Sequence, residues 1–297
     1  MELNAERVAA AVRAALEEDL GGGDVTSEAT VEASAQARGW FVARSSGVVA
    51  GLPVAREVFR QLSGEVAFSP IAAEGESVAA GARIAEVAGA ARALLAGERV
   101  ALNFVQRLSG IATLTRRCVE AVRGSGARIL DTRKTTPGLR FLEKYAVRAG
   151  GGVNHRIGLY DQVLIKDNHL EHLRTIAGSL PEAVRLGVLR ARARGGAGMV
   201  VEVETETLEM VDAALEAGAD VIMLDNMSLD EMREAARRVR ARRTARGGER
   251  PITEASGGIR PEALSQVAAT GVDTISLGAL THSAPVLDIA LDFAPVT

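Results

Sequence analysis

From residue 127 onward, short β-branched apolar runs alternate with stretches in which apolar residues recur every three and four positions. The runs predict strands at 128–130, 162–165, 199–203, 220–224, 252–255 and 273–277. Segments between them, LEMVDAALEAG and LDEMREAARRV among them, carry the helical period. Gly218 and Gly271 stand where such helices should stop, each shortly before the next strand. Repeated strand–helix units predict a parallel sheet, because a right-handed crossover lays each strand beside an earlier one in the same direction.

Two architectures satisfy that pattern, a barrel and a flat doubly wound sheet. No Gly-x-Gly-x-x-Gly follows the first strand, and nearly every strand ends in polar residues: Asp131 with Arg133 and Lys134, then Lys166, Glu204, Asp225, Ser256 and Gly278. A barrel gathers all its strand ends around one mouth, whereas an open sheet concentrates its ligand site at one switch point. Distributed polar endings favour the barrel. Before residue 127 the pattern changes. Residues 5–18 read as an amphipathic helix, 38–51 and 65–90 as strands with glycine turns, and 93–122 as one or two long helices leading into the barrel. No low-complexity linker separates the parts.

Composition narrows the function classes. A chain of 297 residues, 47% hydrophobic and 25% charged, supports one large core or two domains. A net charge of −3 without long like-charged blocks predicts no general affinity for nucleic acid or anionic lipid, so the expected partners are small molecules. No run approaches a membrane span, and the acidic amphipathic start does not read as a secretory signal. A single cysteine, Cys118, excludes an intrachain disulfide or a multi-cysteine metal site. Together these predict a cytoplasmic protein.

Of the 35 basic residues only Lys134, Lys144 and Lys166 are lysine, and His155, His169 and His172 fall in or beside the same window. Such clustering arises by chance in an arginine-rich chain, or marks where a compact ammonium is needed rather than a planar fork. The motifs give it meaning. DTRKTTPG (131–138) sets Arg133 and Lys134 just beyond a strand, a pair suited to a dianion, although a solvated basic loop has the same composition. GGGVNHRIGLYDQVLIKDNH (150–169) adds His155 and Arg156 after three glycines and delivers Lys166 at a strand end. His155 alone is equally a core hydrogen-bonding residue, and His169 and His172 read as helix-start or surface positions. In VEVETET, Glu202 and Glu204 share a face opposite Val201 and Val203; Glu204 lies nearer the mouth, and Asp225 closes VIMLDN in the same way. These carboxylates suit sugar hydroxyls, magnesium or a developing carbocation, or simple compensation of the nearby cations. EASGGI (254–259) and SLGAL (276–280) bring bare backbone NH groups to the last two strand ends, the usual place of a phosphate cradle in a barrel.

Taken in order, LEEDLGGGDVTS, ARSSGVVAG, GERVALNFVQRLSGIAT, DTRKTTPGLRFLEKYAVRAGGGVNHR, LIKDNH, VEVE, MLDN, EASGGI and ISLGALTHSAPVLDIAL resemble the quinolinate phosphoribosyltransferase family, the carboxylating nicotinate-nucleotide pyrophosphorylases. The resemblance implies an α/β chain with an N-terminal α/β sandwich domain (1–116, with 285–297 packing back on it) and an open-faced, incomplete parallel α/β barrel (117–284). It implies a homodimer or larger assembly with shared active sites, using quinolinate, 5-phosphoribosyl 1-diphosphate and Mg2+, with no organic cofactor. Carried onto matching positions, Arg133, His155, Arg156 and Lys166 would bind quinolinate, with Arg99 reaching in from a neighbouring subunit, and Thr132 would be a further substrate-binding residue. Lys134, Glu204 and Asp225 would serve the phosphoribosyl donor and its magnesium. Ser256, Gly257, Gly258, Leu277, Gly278 and Ala279 would cradle phosphate. Two other readings use the same residues: a related phosphoribosyltransferase acting on another acidic ring, and a non-catalytic paralogue that binds a phosphorylated metabolite.

Overall fold

Asn4 starts the first helix, its side chain accepting from the Arg7 amide at 2.9 Å, and Val8, Val12 and Leu16 bury one face at four-residue spacing. The computed structural model describes residues 3–195, 198–241 and 250–295. It separates into two units, the first made of Met1–Arg117, Lys134–Gly152 and Ala279–Thr297, the second of Cys118–Arg133 and Val153–Gly278.

In the first unit, helices α1 (Ala5–Leu20), α2 (Val25–Thr30) and α3 (Leu52–Leu62) accompany strands β1 (Gln36–Ala43), β2 (Gly47–Val48), β3 (Ala67–Pro70), β4 (Ser77–Val78) and β5 (Arg83–Ala90). A single 31-residue helix, α4 (Ala91–Ala121), follows, where the sequence allowed one or two; up to Arg117 it belongs to this unit and from Cys118 to the second. Helix α5 (Arg140–Ala149), the short α11 (Ala279–His282) and the terminal strand β12 (Ile289–Pro295) also belong to this unit. Its antiparallel sheet runs β12-β1-β5-β3, so the chain's last strand lies at the edge beside β1, and residues 296 and 297 of the predicted returning segment lie outside the described residues. Phe41, Phe59 and Phe68 pack with ring centroids about 6 Å apart to knit α3 to the sheet.

Gly110 lies where α4 passes residues 285 and 286. A Cβ there would stand 2.0 Å from the Pro285 carbonyl oxygen and 2.9 Å from Val286 Cα. Neither is a flexible side-chain end, so Gly110→Ala is expected to cost about 3 kcal/mol, the upper part of the range for overpacking. Urea denaturation checks this; a wild-type midpoint would show that the crossing yields freely.

The second unit holds the parallel sheet: β6 (Arg128–Leu130), β7 (Val163–Ile165), β8 (Val201–Thr205), β9 (Val221–Asp225), β10 (Ile252–Ser256) and β11 (Thr274–Ser276) in the order β6-β11-β10-β9-β8-β7. Between them run α6 (Asp167–Ala177), α7 (Leu180–Gly195), α8 (Leu208–Ala217), α9 (Leu229–Ala241) and α10 (Leu264–Ala268). Gly218 ends α8 in the left-handed conformation at φ 80°, whereas α10 stops at Ala268 and Gly271, at φ 90°, serves a turn beyond it. Registers sort the side chains by face: Val203 lies opposite Ile222 and Ala255 opposite Leu224, all buried on the face that meets the helices. Glu204, Met223, Glu254 and Thr274 line up on the other face.

The curl of that sheet follows from one contact. Val153 bridges Leu130 and so extends the β6 edge, while Glu202 sits in β8, five strand spacings away. In a flat sheet these positions would be about 24 Å apart. Yet His155, two residues past Val153, places Nε2 3.1 Å from Glu202 Oε2. The sheet therefore wraps into a barrel, and no pairing among the described residues joins β7 to the Val153 segment, which leaves it open on one side.

Candidate active site

The barrel's inner face carries charged and polar residues beside the apolar Leu164 and Met223. Glu202 is fully buried and Glu254 only 2% exposed, and both face His155, at 3.1 and 3.6 Å from its Nε2. Gln162 Nε2 donates to Glu202 Oε2 at 2.5 Å. The Arg156 amide donates to His155 Nδ1 at 2.8 Å, which leaves the ring proton on Nε2, directed at the carboxylates. Asp131, wholly buried at the end of β6, accepts from the His155 amide at 2.8 Å and from Asn154 Nδ2 at 2.6 Å. Burial above all, then the Glu202 charge, holds the Glu254 carboxyl well above its ordinary range.

Nearer the strand ends, Lys166 Nζ donates to Glu204 Oε1, and the Asp167 amide donates to the other oxygen at 3.1 Å. Lys166 follows β7 and caps α6, and His169 accepts from the Lys166 amide at 2.9 Å, which accounts for a histidine at a helix start. Asp225 ends β9 and accepts from Asn226 Nδ2 at 2.9 Å; burial first and the Glu204 charge second raise its pKa, with Lys166 acting in the opposite direction. Arg156 is 8% exposed, donates to the Gln162 carbonyl at 3.3 Å, and has its pKa lowered first by burial and then by the Arg133 charge. The structure thus brings Arg133, Arg156, Glu204, Lys166 and Asp225 into one electrostatic neighbourhood.

The glycine turn after β10 has a steric reason. Gly257 has φ 89°, and a Cβ on it would lie 2.4 Å from Asn226 Oδ1 and 2.7 Å from the Asn226 amide nitrogen. Asn226, itself left-handed at φ 54°, donates its amide to the Ser256 carbonyl at 3.2 Å, so this turn is locked to the end of β9. Gly258, at φ 58°, has open space where a side chain would stand. A 3₁₀ turn (Pro261–Ala263) and the five-residue α10 follow this turn. Leu277 is fixed by its amide donating to the Leu130 carbonyl at 2.9 Å, and Gly278 ends that stretch of the unit. Thr132 is half-buried between Asp131 and Arg133.

Three of the sequence candidates lie in the first unit: Arg99, exposed on α4, Lys134, and Ala279 at the start of α11. The Lys134 carbonyl accepts from Thr281 Oγ1 at 2.7 Å. Lys144, the third lysine, is wholly buried on α5. Sequence reasoning gave no role to Glu254 and ranked Glu202 below Glu204. The available signal was a glutamate in the middle of a strand, ITEAS, a position that burial tolerates only with a partner.

Ligand-type atoms of His155, Glu202 and Glu254 converge within 4.8 Å of one another. That cluster does not suit magnesium, a hard cation that takes oxygen ligands and keeps waters, because one member is a nitrogen whose lone pair is taken up by a proton. Glu204 and Asp225 fit better. They are oxygen donors at the strand ends, and their mutual repulsion is what a divalent cation would relieve.

An open α/β barrel with cations, carboxylates and a glycine turn at its strand ends defines an enzyme of the class that handles phosphorylated, acidic small molecules. Residues 24–109 match the N-terminal domain of quinolinate phosphoribosyl transferase and residues 111–292 its C-terminal domain. A Bacillus subtilis protein named as a probable carboxylating nicotinate-nucleotide pyrophosphorylase is 48% identical over 93% of this chain and 89% of its own length. The Mycobacterium leprae carboxylating nicotinate-nucleotide pyrophosphorylase is 44% identical over 95% of both. A crystal structure of NadC from Streptococcus pyogenes superposes with a TM-score of 0.90 at 38% identity, covering all of both chains. The chain belongs to the quinolinate phosphoribosyltransferase family.

Proposed function

We propose that this chain transfers the phosphoribosyl group of 5-phosphoribosyl 1-diphosphate to quinolinate, releasing diphosphate and carbon dioxide and forming nicotinate mononucleotide, a step of NAD synthesis. The observation that carries the reading is the gathering of Arg156, Arg133 and Lys166 beside Glu204 and Asp225 in a member of this family. Arg133, Arg156 and Lys166 hold the two carboxylates of quinolinate, which turns the ring nitrogen toward the anomeric carbon. Thr132 and His155 complete that pocket, and Arg99 of a second copy closes it in a homodimer or larger assembly. Lys134 binds the phosphoribosyl donor, and Ser256, Gly257, Gly258, Leu277, Gly278 and Ala279 cradle its phosphate.

The new bond runs from the ring nitrogen to the anomeric carbon as the bond to diphosphate breaks. Glu204 or Asp225 stabilises the positive charge that develops there. The alkylated ring is then cationic, so the adjacent carboxylate leaves as carbon dioxide and the ring carbon takes up a proton. Magnesium, held by the diphosphate with Glu204 and Asp225, would neutralise charge on the leaving group. No described helix is long and apolar enough to cross a membrane, and we place the reaction in the cytoplasm.

Offered the donor with quinolinate or with nicotinate, the protein is expected to form nicotinate mononucleotide from quinolinate at least about 30-fold more efficiently. The absent carboxylate forfeits a paired charge, and 2 kcal/mol is the lower end of that loss. Equal use of the two acids in a coupled diphosphate-release assay would refute the dicarboxylate pocket.

A further inference from the structure

Among the groups the proposed reaction does not use, one ion pair with a buried carboxylate stands out. Glu143, on α5, is 1% exposed. Its Oε1 accepts from Arg107 Nη2 at 2.8 Å, Arg107 Nε at 3.3 Å and Thr136 Oγ1 at 2.8 Å, and its Oε2 accepts from the Thr136 amide at 3.0 Å. Arg107, on α4, also donates to the carbonyls of Thr281 and, at 3.3 Å, of Ala284. Thr281, wholly buried, returns its hydroxyl to the Lys134 carbonyl at 2.7 Å. Four side chains thus close a circuit between two stretches of chain far apart in sequence, 134–136 and 281–284, and all of it lies in the first unit.

Those two stretches follow directly on the proposed anion-binding residues. Lys134 succeeds Arg133 and carries the charge assigned to the phosphoribosyl donor; the 281–284 stretch continues from Leu277, Gly278 and Ala279. Neither stretch is held by regular strand or long helix at these positions, so side chains must fix the backbone. A buried carboxylate that accepts an amide and a hydroxyl from one residue does so with charge-assisted bonds, which are shorter and stronger than neutral ones. A guanidinium with its fork spread over two carbonyls and a carboxylate is likewise a rigid crosslink.

We propose that Arg107, Glu143, Thr136 and Thr281 form a positioning device that fixes the Lys134 segment against the segment following Ala279, and so sets the grip of both on the phosphoribosyl donor. None of the four touches substrate in this scheme; they act through Lys134 and the cradle, and the inference rests on the function proposed above.

Thr281→Val keeps the shape and removes only the hydroxyl. It is expected to raise KM for 5-phosphoribosyl 1-diphosphate about tenfold, the upper end for one lost hydrogen bond, while Thr281→Ser restores it. A merely structural role would lower Tm in Thr281→Val and leave KM where it is; an unchanged KM, or equal values for the Val and Ser variants, overturns the device. Hydrogen exchange tests it without turnover. Glu143→Gln is expected to speed exchange of the Thr136 amide about tenfold, and unchanged protection there overturns the device as well. Should the wild-type protein make no product from quinolinate, the functional reading fails, and the exchange result alone decides the inference.

Discussion

Replacing Lys166 with alanine is expected to cut kcat/KM for quinolinate by between about 30-fold and a few thousandfold while the protein stays folded. From the end of β7, the Lys166 ammonium donates to Glu204 on β8, and its side chain is 44% exposed, so truncation opens no core cavity. Glu204 keeps its bond from the Asp167 amide. An ion pair so open to solvent contributes at most about 1 kcal/mol to stability. Its contribution to binding is larger: a substrate carboxylate loses its cation, and Glu204 regains a bare negative charge facing that same substrate. Removing one partner of a hydrogen-bonded charge pair costs about 2–5 kcal/mol, which sets the range given. Steady-state kinetics with a thermal melt on the same sample separates activity from folding. Activity within a factor of three of wild type would remove Lys166 from the site.

Replacing His155 with alanine is expected to have its main effect on stability, about 3 kcal/mol. The substitution takes the Nε2 proton from two carboxylates, one fully buried and one 2% exposed, and leaves a space beside them. Its pH dependence follows from Glu254. In the folded chain that carboxyl titrates above its ordinary value of 4.5, chiefly because it is buried, while the unfolded chain has already lost the proton. Folding then binds a proton, so this contribution to stability is fully present below pH 4.5 and is lost as pH rises through the folded value. His155 lowers that folded value, so its removal pushes the pKa further up and lengthens the fall. The urea midpoint of His155→Ala is expected to lie nearest the wild type in acid and furthest from it in alkali. A deficit independent of pH would mean that the cluster holds no shared proton. Glu254→Gln, which replaces the titrating group, is expected to flatten the slope in either background.

His155 also shows how a proposed site residue and a core residue can coincide. Its two ring nitrogens are engaged, Nδ1 by the Arg156 amide and Nε2 by the carboxylates, and its own amide is held by Asp131. Each of these contacts ends on Arg156 itself, on the inner wall of the barrel or on Asp131 at the end of β6. The imidazole therefore orients the segment that presents Arg156, whatever further contact it makes with a ligand.

Much of this arrangement was legible from residue order alone. Strand and helix alternate in the sequence because each must bury one face, so the six parallel strands, the glycine that stops α8 and the opposite facing of Val203 and Glu204 were all accessible. The strand ends marked the mouth, and the ordered motifs marked the family. What the sequence did not carry were contacts between residues on different elements. Glu202 and Glu254 are 52 positions apart and meet at His155 only because the sheet curls, for Glu202 across about 24 Å of flat separation. Arg107 and Glu143 belong to two helices whose periodicity says which face is buried but not which residue lies across from it. Lys144 makes the same point in reverse: lying between Lys134 and Lys166 in the sequence, it is wholly buried on α5. Local backbone preference and side-chain period are properties of neighbours along the chain, and so they are written in its order. Pairings across the barrel, and the protonation states they impose, depend on curvature and packing, which only the folded molecule determines.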